Sequence, residues 1–308
     1  MLTKFDVIGH TSMVGANAMW GMMSPISKYL LIGGFVTPLV ITDMRIGGAM
    51  VLFWLLSLFT KKESVPAKDL FKLFFASLFA IVLNQGSFII GVSLTSPSDA
   101  SIITTSMPLW AMVLSAFILK EAVTGLKLLG IGFGAAGALT LILNSTNGVQ
   151  TSNSDTAIYG DLLVLFAQFS YALYMVLYKN FVSRYSLVTI MKWMFTFAFI
   201  CTMPFSFQDF INTTWTDLGL LESGGLFFIV FFATFVSYIL CIVGLKRLSP
   251  TITGMYNYVQ PIVACIVAIL WNMDTFSVTK LLAIIMIFTG VYLVTISKSK
   301  AEMTNVEE

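Results

Sequence analysis

GVSLTSPSDASIITTSMPLWAMVLSAFILKEAVTGLKLLGIGFGAAGALTL, residues 91–141, returns as GLKRLSPTITGMYNYVQPIVACIVAILWNMDTFSVTKLLAIIMIFTGVYLV, residues 244–294, at a constant offset of 153 and without a gap. Ten of the 51 aligned positions are identical. Apolar residues coincide by chance in so hydrophobic a chain, but the landmarks here do not. Each copy opens on a glycine (Gly91, Gly244) and a Ser-Pro pair (Ser96-Pro97, Ser249-Pro250). A second proline follows eleven residues later (Pro108, Pro261), and an acid thirteen beyond that (Glu121, Asp274). Lys127 and Lys280, then Gly137 and Gly290, complete the match. A period of this length marks a duplicated unit.

The solvent of that unit follows from composition. Of 308 residues, 57% are hydrophobic and 10% charged, against about a quarter charged in soluble proteins. Surface this apolar calls for lipid. The net charge of +2 and the lack of any basic cluster beyond Lys61-Lys62 argue against nucleic acid as a partner. The three cysteines lie in apolar runs and His10 is the one histidine, which argues against a disulfide or a metal site. No cofactor is expected.

A membrane span needs about 20 mostly apolar residues. Ten stretches qualify, near 10–32, 37–59, 70–92, 97–119, 124–143, 159–181, 187–207, 223–245, 250–271 and 277–296. The expected fold is an all-α integral membrane protein with ten transmembrane helices in two inverted five-helix repeats. Its first repeat covers 1–147, its second 155–300, and a short cytoplasmic tail 301–308. With the N-terminus inside, 13 of the 17 basic residues fall in inside segments, as positive-inside asymmetry requires. Both termini are then cytoplasmic. Five spans per repeat invert the second copy, which explains why Lys127 is inside while Lys280 is the one lysine in an outside segment. Inverted repeats of this kind are a recurring architecture of secondary transporters.

Polar side chains deep in a span face either a water-filled pathway or a neighbouring helix that they hydrogen-bond. Asn17, Trp20, Ser24 and Lys28 step by three and four residues along one face of span 1. Asn84 and Gln85 in span 3, Thr104 in span 4, Gln168 and Tyr171 in span 6, and Tyr256, Asn257 and Gln260 in span 9 join them as cavity candidates. Pro108 and Pro261 are hinge candidates, since a helix-interior proline frees the carbonyl four residues earlier, here that of Thr104 and of Asn257. Arg45 sits about two turns into span 2, where a structural tie and a substrate contact are both open. Lys28 has three readings: snorkelling to the outer headgroups, an anion site, or a pair with Asp43. Ser96, Pro97 and Asp99 read as N-cap, N1 and N3 of span 4, and Thr124 caps span 5. Glu121 reads as a structural tie in its turn. Gly130 and Gly134 form a small-xxx-small face, for internal packing or for a dimer.

Taken together, these residues resemble the EamA-type drug/metabolite transporter superfamily over about residues 10–297. The resemblance rests on Trp20-Gly21, Lys28, Arg45, Ser96-Pro97, Pro108, Glu121, Thr124, Gly130 and Gly137. Ser249-Pro250, Pro261, Asp274 and Gly290 carry it through the second copy. Asp274 stands where Glu is common and Ala283 where Gly is common. The resemblance implies a central cavity lined by spans 1, 3, 4, 6, 8 and 9, and transport of small metabolites, frequently amino acids and often outward. The expected function is therefore a secondary transporter, an exporter of a small polar or amphipathic metabolite working by alternating access, in a bacterial inner membrane. The rival readings are a lipid or lipid-linked carrier and a non-transporting receptor or assembly subunit. Expected partners are the small-molecule substrate and membrane lipid, with proton coupling and a monomer or weak dimer left open. No nucleophile–base constellation points to an enzyme.

Overall fold

The structure, a computed structural model, describes residues 4–120, 124–144, 154–182, 184–248, 256–275 and 277–296. Among these residues every regular element is helical. In chain order they are α1 (Lys4–Ile32), α2 (Pro38–Ser57), α3 (Ala67–Leu94), α4 (Pro97–Ile118), α5 (Gly125–Asn144), α6 (Ser154–Val182), α7 (Leu187–Asn212), α8 (Leu220–Leu245), α9 (Tyr256–Leu270) and α10 (Val278–Ile296). Seven helices are long and apolar enough to cross a membrane, and two described stretches, Tyr256–Leu270 and Val278–Leu293, are shorter and apolar. The chain is an integral, multi-pass membrane protein. Backbone at that depth has no water to bond, so helices are the form its sequence must take.

Caps anticipated from the sequence are present. Ser96 Oγ accepts from Asp99 N–H at 3.0 Å with Pro97 in the first turn of α4, and Thr124 Oγ1 accepts from Lys127 N–H at 3.3 Å. The Ser249-Pro250 and Glu121 positions lie outside the described residues.

Helical irregularity accompanies both prolines. α4 stops at Thr104 and restarts at Met107, so Pro108 lies in the first turn of a new helical segment. In α9 the first described residues, Tyr256–Tyr258, form a 3-10 turn, and the chain turns α-helical at Val259, two residues before Pro261. A proline in a first turn costs little, because its missing N–H would have had no intrahelical acceptor. Pro108 therefore begins a helical segment, and Pro261 lies just after a change from 3-10 to α-helix.

Two further irregularities are absent from any sequence expectation. α3 is π-helical over Leu78–Leu83 and α8 over Phe228–Val236. The offset of 153 carries the first of these to 231–236, inside the second.

Packing is closest where glycines meet. The main helix pairs are α5 with α10, α2 with α7, α3 with α6, and α1 with α8 and α9. A Cβ on Gly290 would stand 2.5 Å from Gly130 O and 2.6 Å from Gly134 N. One on Gly137 would stand 3.0 Å from Ala283 O. The small-residue face of α5 thus packs on α10 within the chain. Gly91 and Gly160 meet in the same way between α3 and α6, and Gly244 and Gly9 approach between α8 and α1.

The buried apolar residues form two clusters. One joins Met23, Ile26, Ile41, Phe88, Val164 and Ala233. The other joins Ile46, Phe53, Ile81, Tyr174, Met194 and Phe195. Along α2 the change from one cluster to the other falls between Ile41 and Ile46, along α3 between Ile81 and Phe88, and along α6 between Ala167 and Tyr174.

Candidate functional site

Polar residues fill those three changeover points. Arg45 follows Ile41 on α2, Asn84 and Gln85 lie between Ile81 and Phe88 on α3, and Gln168, Ser170 and Tyr171 follow Ala167 on α6. Tyr238 on α8 is their common neighbour. It stands beside Arg45, Gln85, Tyr171 and Tyr174. Its ring lies edge-on to Trp20 at 6.0 Å and to Phe195 at 6.0 Å. Arg45 is 4% exposed, and its Nε donates to Thr234 Oγ1 at 3.1 Å while Nη1 has no partner. Gln85, 2% exposed, faces Tyr238, yet neither end of its amide completes a hydrogen bond. Among the described residues no carboxylate is within ion-pair distance of Arg45. An arginine at the centre of a spanning helix costs about 2.5–3.5 kcal/mol on insertion scales, and such residues face a bundle interior or a cavity.

Trp20, Tyr171 and Tyr238 lie deep in the bundle but are only partly buried. From Tyr171 an aromatic ladder descends α6 through Tyr174 (5.7 Å), Tyr178 (6.1 Å) and Phe181 (6.5 Å) to Tyr185 (6.0 Å).

The other candidates divide by what they touch. Gln260 Nε2 donates to Asn17 Oδ1 at 2.8 Å, and Asn17 Nδ2 donates to Met13 O at 2.9 Å, so this pair ties α9 to α1. Asn84 Nδ2 donates to Ala167 O at 2.8 Å and joins α3 to α6. Thr104 bonds back to Ser101 O in its own helix. Tyr256 meets His10 Nδ1 through its hydroxyl, near the start of α1. Ser24 is buried on α1, Gln168 is buried on α6, and Asn257 lies half-buried in the first turn of α9.

Lys28 neither snorkels nor pairs with Asp43. It is buried, and its Nζ donates to Ser93 O at 2.8 Å, near the C-terminus of α3. Asp43 instead accepts from the hydroxyls of Thr202 and Ser206 on α7. A cavity of about 510 Å³ opens at this end of the bundle between the α1–α2 turn, Ser93 and the end of α7.

Comparison with known proteins now has a structure to meet. The sequence profile of EamA-like transporters matches residues 7–143 and, separately, residues 158–296. The chain belongs to the EamA-like transporter family. Among its relatives is the uncharacterized transporter YetK of Bacillus subtilis, 21% identical over 305 residues, covering 98% of this chain and 91% of that protein. An uncharacterized transporter of Archaeoglobus fulgidus is 24% identical over 275 residues, 89% of this chain and 94% of its own. A solved crystal structure superposes with a TM-score of 0.63 at 16% identity, covering 95% and 96% of the two chains; that likeness concerns the fold. Membership makes the chain a membrane transporter by family.

Sequence reading of this EamA-like chain missed two things. Tyr238 and Thr234 sit in the apolar run FIVFFATFVSY; the repeat offset singles out Tyr238, since it carries Gln85 onto it, and gives no signal for Thr234, which pairs with Ile81. The second is an ionic cluster at the α1–α2 end. Lys280 Nζ donates to both oxygens of Asp274 at 2.6 Å and pairs with Asp99 Oδ1 at 3.1 Å. Ser96 Oγ donates to Asp274 Oδ2 at 3.0 Å. The cluster ties the start of α4 to the turn before α10. Among the described residues no group of three metal-ligating side chains occurs.

Proposed function

We propose that the protein is a secondary transporter that exports a small polar or amphipathic metabolite by alternating access, with the set around Tyr238 as its binding site. One observation carries this reading. The helix irregularities come in pairs, the π segments of α3 and α8 and the non-α turns just before Pro108 and Pro261, and Gln85 and Tyr238 of the central set lie two residues beyond the π segments. π segments and broken helices recur at functional sites, because they loosen the backbone beside a ligand and offer places for one half to rock against the other.

The same pairing supports ten spans in two inverted halves. Exchanging each helix for its counterpart five places on turns α1·α8 into α6·α3 and α1·α9 into α6·α4, and leaves α2·α7 and α5·α10 unchanged; all of these pairs are packed. The glycine contacts obey the same exchange. With this topology the α1–α2 end is extracytoplasmic, both termini are cytoplasmic, and the membrane is a plasma membrane. The central set holds no carboxylate or histidine among the described residues, which favours facilitated diffusion or exchange over proton coupling.

Flux of a metabolite panel across proteoliposomes tests the reading. Trp20→Ala is expected to cut flux of the best substrate while membrane abundance stays unchanged. Equal flux in wild type and empty vesicles, for every compound and with or without a pH gradient, would sink it. A lipid-linked cargo is the second reading, favoured by a groove of about 270 Å³ between α9 and α10, lined by Pro261, Cys265, Ile266, Ile269, Ile284 and Phe288. Competition by lipid for the bound solute would select it.

A further inference from the structure

We infer that Arg45 is the receptor for the acid group of an organic anion, so that the cargo is a carboxylate with an apolar or aromatic body and no ammonium group. This rests on the transporter reading above and narrows its substrate class.

Among the described residues the charge of Arg45 is unbalanced. Arg45 is almost fully buried in mid-helix, its Nη1 is unpartnered, and its one hydrogen bond here, from Nε, goes to a neutral hydroxyl, that of Thr234. A guanidinium is charged at any physiological pH and presents a fork of donors that matches a carboxylate two bonds at a time. Inside a membrane protein such a charge ordinarily finds an anion. The acidic groups nearest in the sequence are committed elsewhere: Asp43 to Thr202 and Ser206, and Asp99 to Lys280. Among the described residues no carboxylate pairs with Arg45, and an anion supplied by the cargo would fill that place.

The surroundings specify the rest of the ligand. Arg45 and the Gln85 amide are both neighbours of Tyr238, and the amide and the Tyr238 hydroxyl are both able to donate to a carboxylate. Next to these the rings of Trp20, Tyr171 and Phe195 offer an apolar wall. Nothing in this group carries a negative charge, so an ammonium would lie near Arg45 without a counter-ion. The site favours an acid over the corresponding amine for that reason, and over a zwitterion for the same one.

Three probes with one body and different heads test the inference: 3-phenylpropionate, 3-phenylpropionamide and 3-phenylpropylamine. Purified full-length protein in detergent is melted with each at millimolar concentration, since a ligand of the folded state raises the apparent melting temperature. The acid is expected to raise it, and the amide and amine to leave it nearly unchanged. Arg45→Lys should keep part of the preference, and Arg45→Gln should weaken acid binding about ten- to 100-fold. Should Arg45→Gln fail to fold, Thr234→Asp supplies a second arm. It places a carboxylate at the 3.1 Å contact with Arg45 Nε, and is expected to raise the melting temperature without ligand and abolish the response to the acid. An equal or larger response to the amine or amide, no response to the acid, or an acid response unchanged in Arg45→Gln or Thr234→Asp would overturn the inference. Flux in proteoliposomes separates the two levels. Transport of amines or neutral solutes without acids removes this inference and leaves the transporter reading standing, whereas no flux of any compound removes the transporter reading itself.

Discussion

Replacing Gly290 by alanine adds one methyl group at the tightest backbone contact between α5 and α10. Its Cβ would lie 2.5 Å from Gly130 O, 2.6 Å from Gly134 N and 2.9 Å from Gly134 Cα. Ordinary contact begins at 3.4 Å, so the shortfall is about 0.9 Å, and every offending atom is backbone. Side-chain rotation cannot relieve it; the helices must separate, loosening the interface along its length. Overpacking of this sort costs about 1–3 kcal/mol, set against the few tenths to 1 kcal/mol that alanine gains over glycine in a helix. Gly137→Ala should cost less, because its nearest approaches are longer, 2.8 Å to Ile287 Cγ1, 2.9 Å to Met286 Cβ and 3.0 Å to Ala283 O, and Ile287 can turn aside. Gly132→Ala meets nothing within 4 Å and should be neutral or mildly stabilising. Thermal melting in one detergent, with melting temperatures falling in the order Gly132→Ala, Gly137→Ala, Gly290→Ala, checks the series. If Gly290→Ala melts with or above Gly132→Ala, the reasoning from close approach is wrong.

Two further perturbations address the charges. Lys280→Met leaves Asp99 and Asp274 buried together without their cation. Breaking a buried pair costs about 3–5 kcal/mol, and the added substitution Asp274→Asn should recover part of the loss in the same melting assay. Glu63, in the α2–α3 connection, has its carboxyl held below the usual range by hydrogen bonds from Thr189 and Ser186. A depressed folded-state value contributes stability above the unfolded carboxylate range that is lost as the pH falls through the folded value. Glu63→Gln should therefore melt below wild type at neutral pH, and the gap should close in acid; a gap independent of pH would refute the assignment.

Much of the fold was written in the repeat. The Ser96-Pro97-Asp99 cap, the glycine faces and the lipid-crossing helices are local or pairwise features, and spacing reveals them. What spacing hides is direction. Lys28 sits on a polar face of α1, but periodicity could not say that it would turn to the end of α3 and leave Asp43 to α7. Asp99 and Lys280 are 181 residues apart in sequence, and their pairing follows only once α4 and α10 are adjacent in space. The prolines were legible as positions and not as geometry. Whether a proline kinks a helix or begins one depends on whether the turn before it is helical, and TTSM before Pro108 gives no local sign of the break. The central set was half legible: Trp20, Arg45, Gln85 and Tyr171 stand out as polar or aromatic residues among aliphatics, whereas Tyr238 is concealed among phenylalanines.

The π segments have a consequence for how this chain can change in length. A π turn holds one more residue than the α turn it replaces, so each is the mark of an extra residue absorbed without breaking the helix. Removing one residue from Phe228–Val236 would let α8 close into a regular α-helix with Tyr238 still in register, whereas the same deletion from a regular α turn would rotate everything beyond it by about 100°. The same holds for Leu78–Leu83 and Gln85. At these two places the chain can lose a residue and still keep Arg45, Gln85 and Tyr238 together.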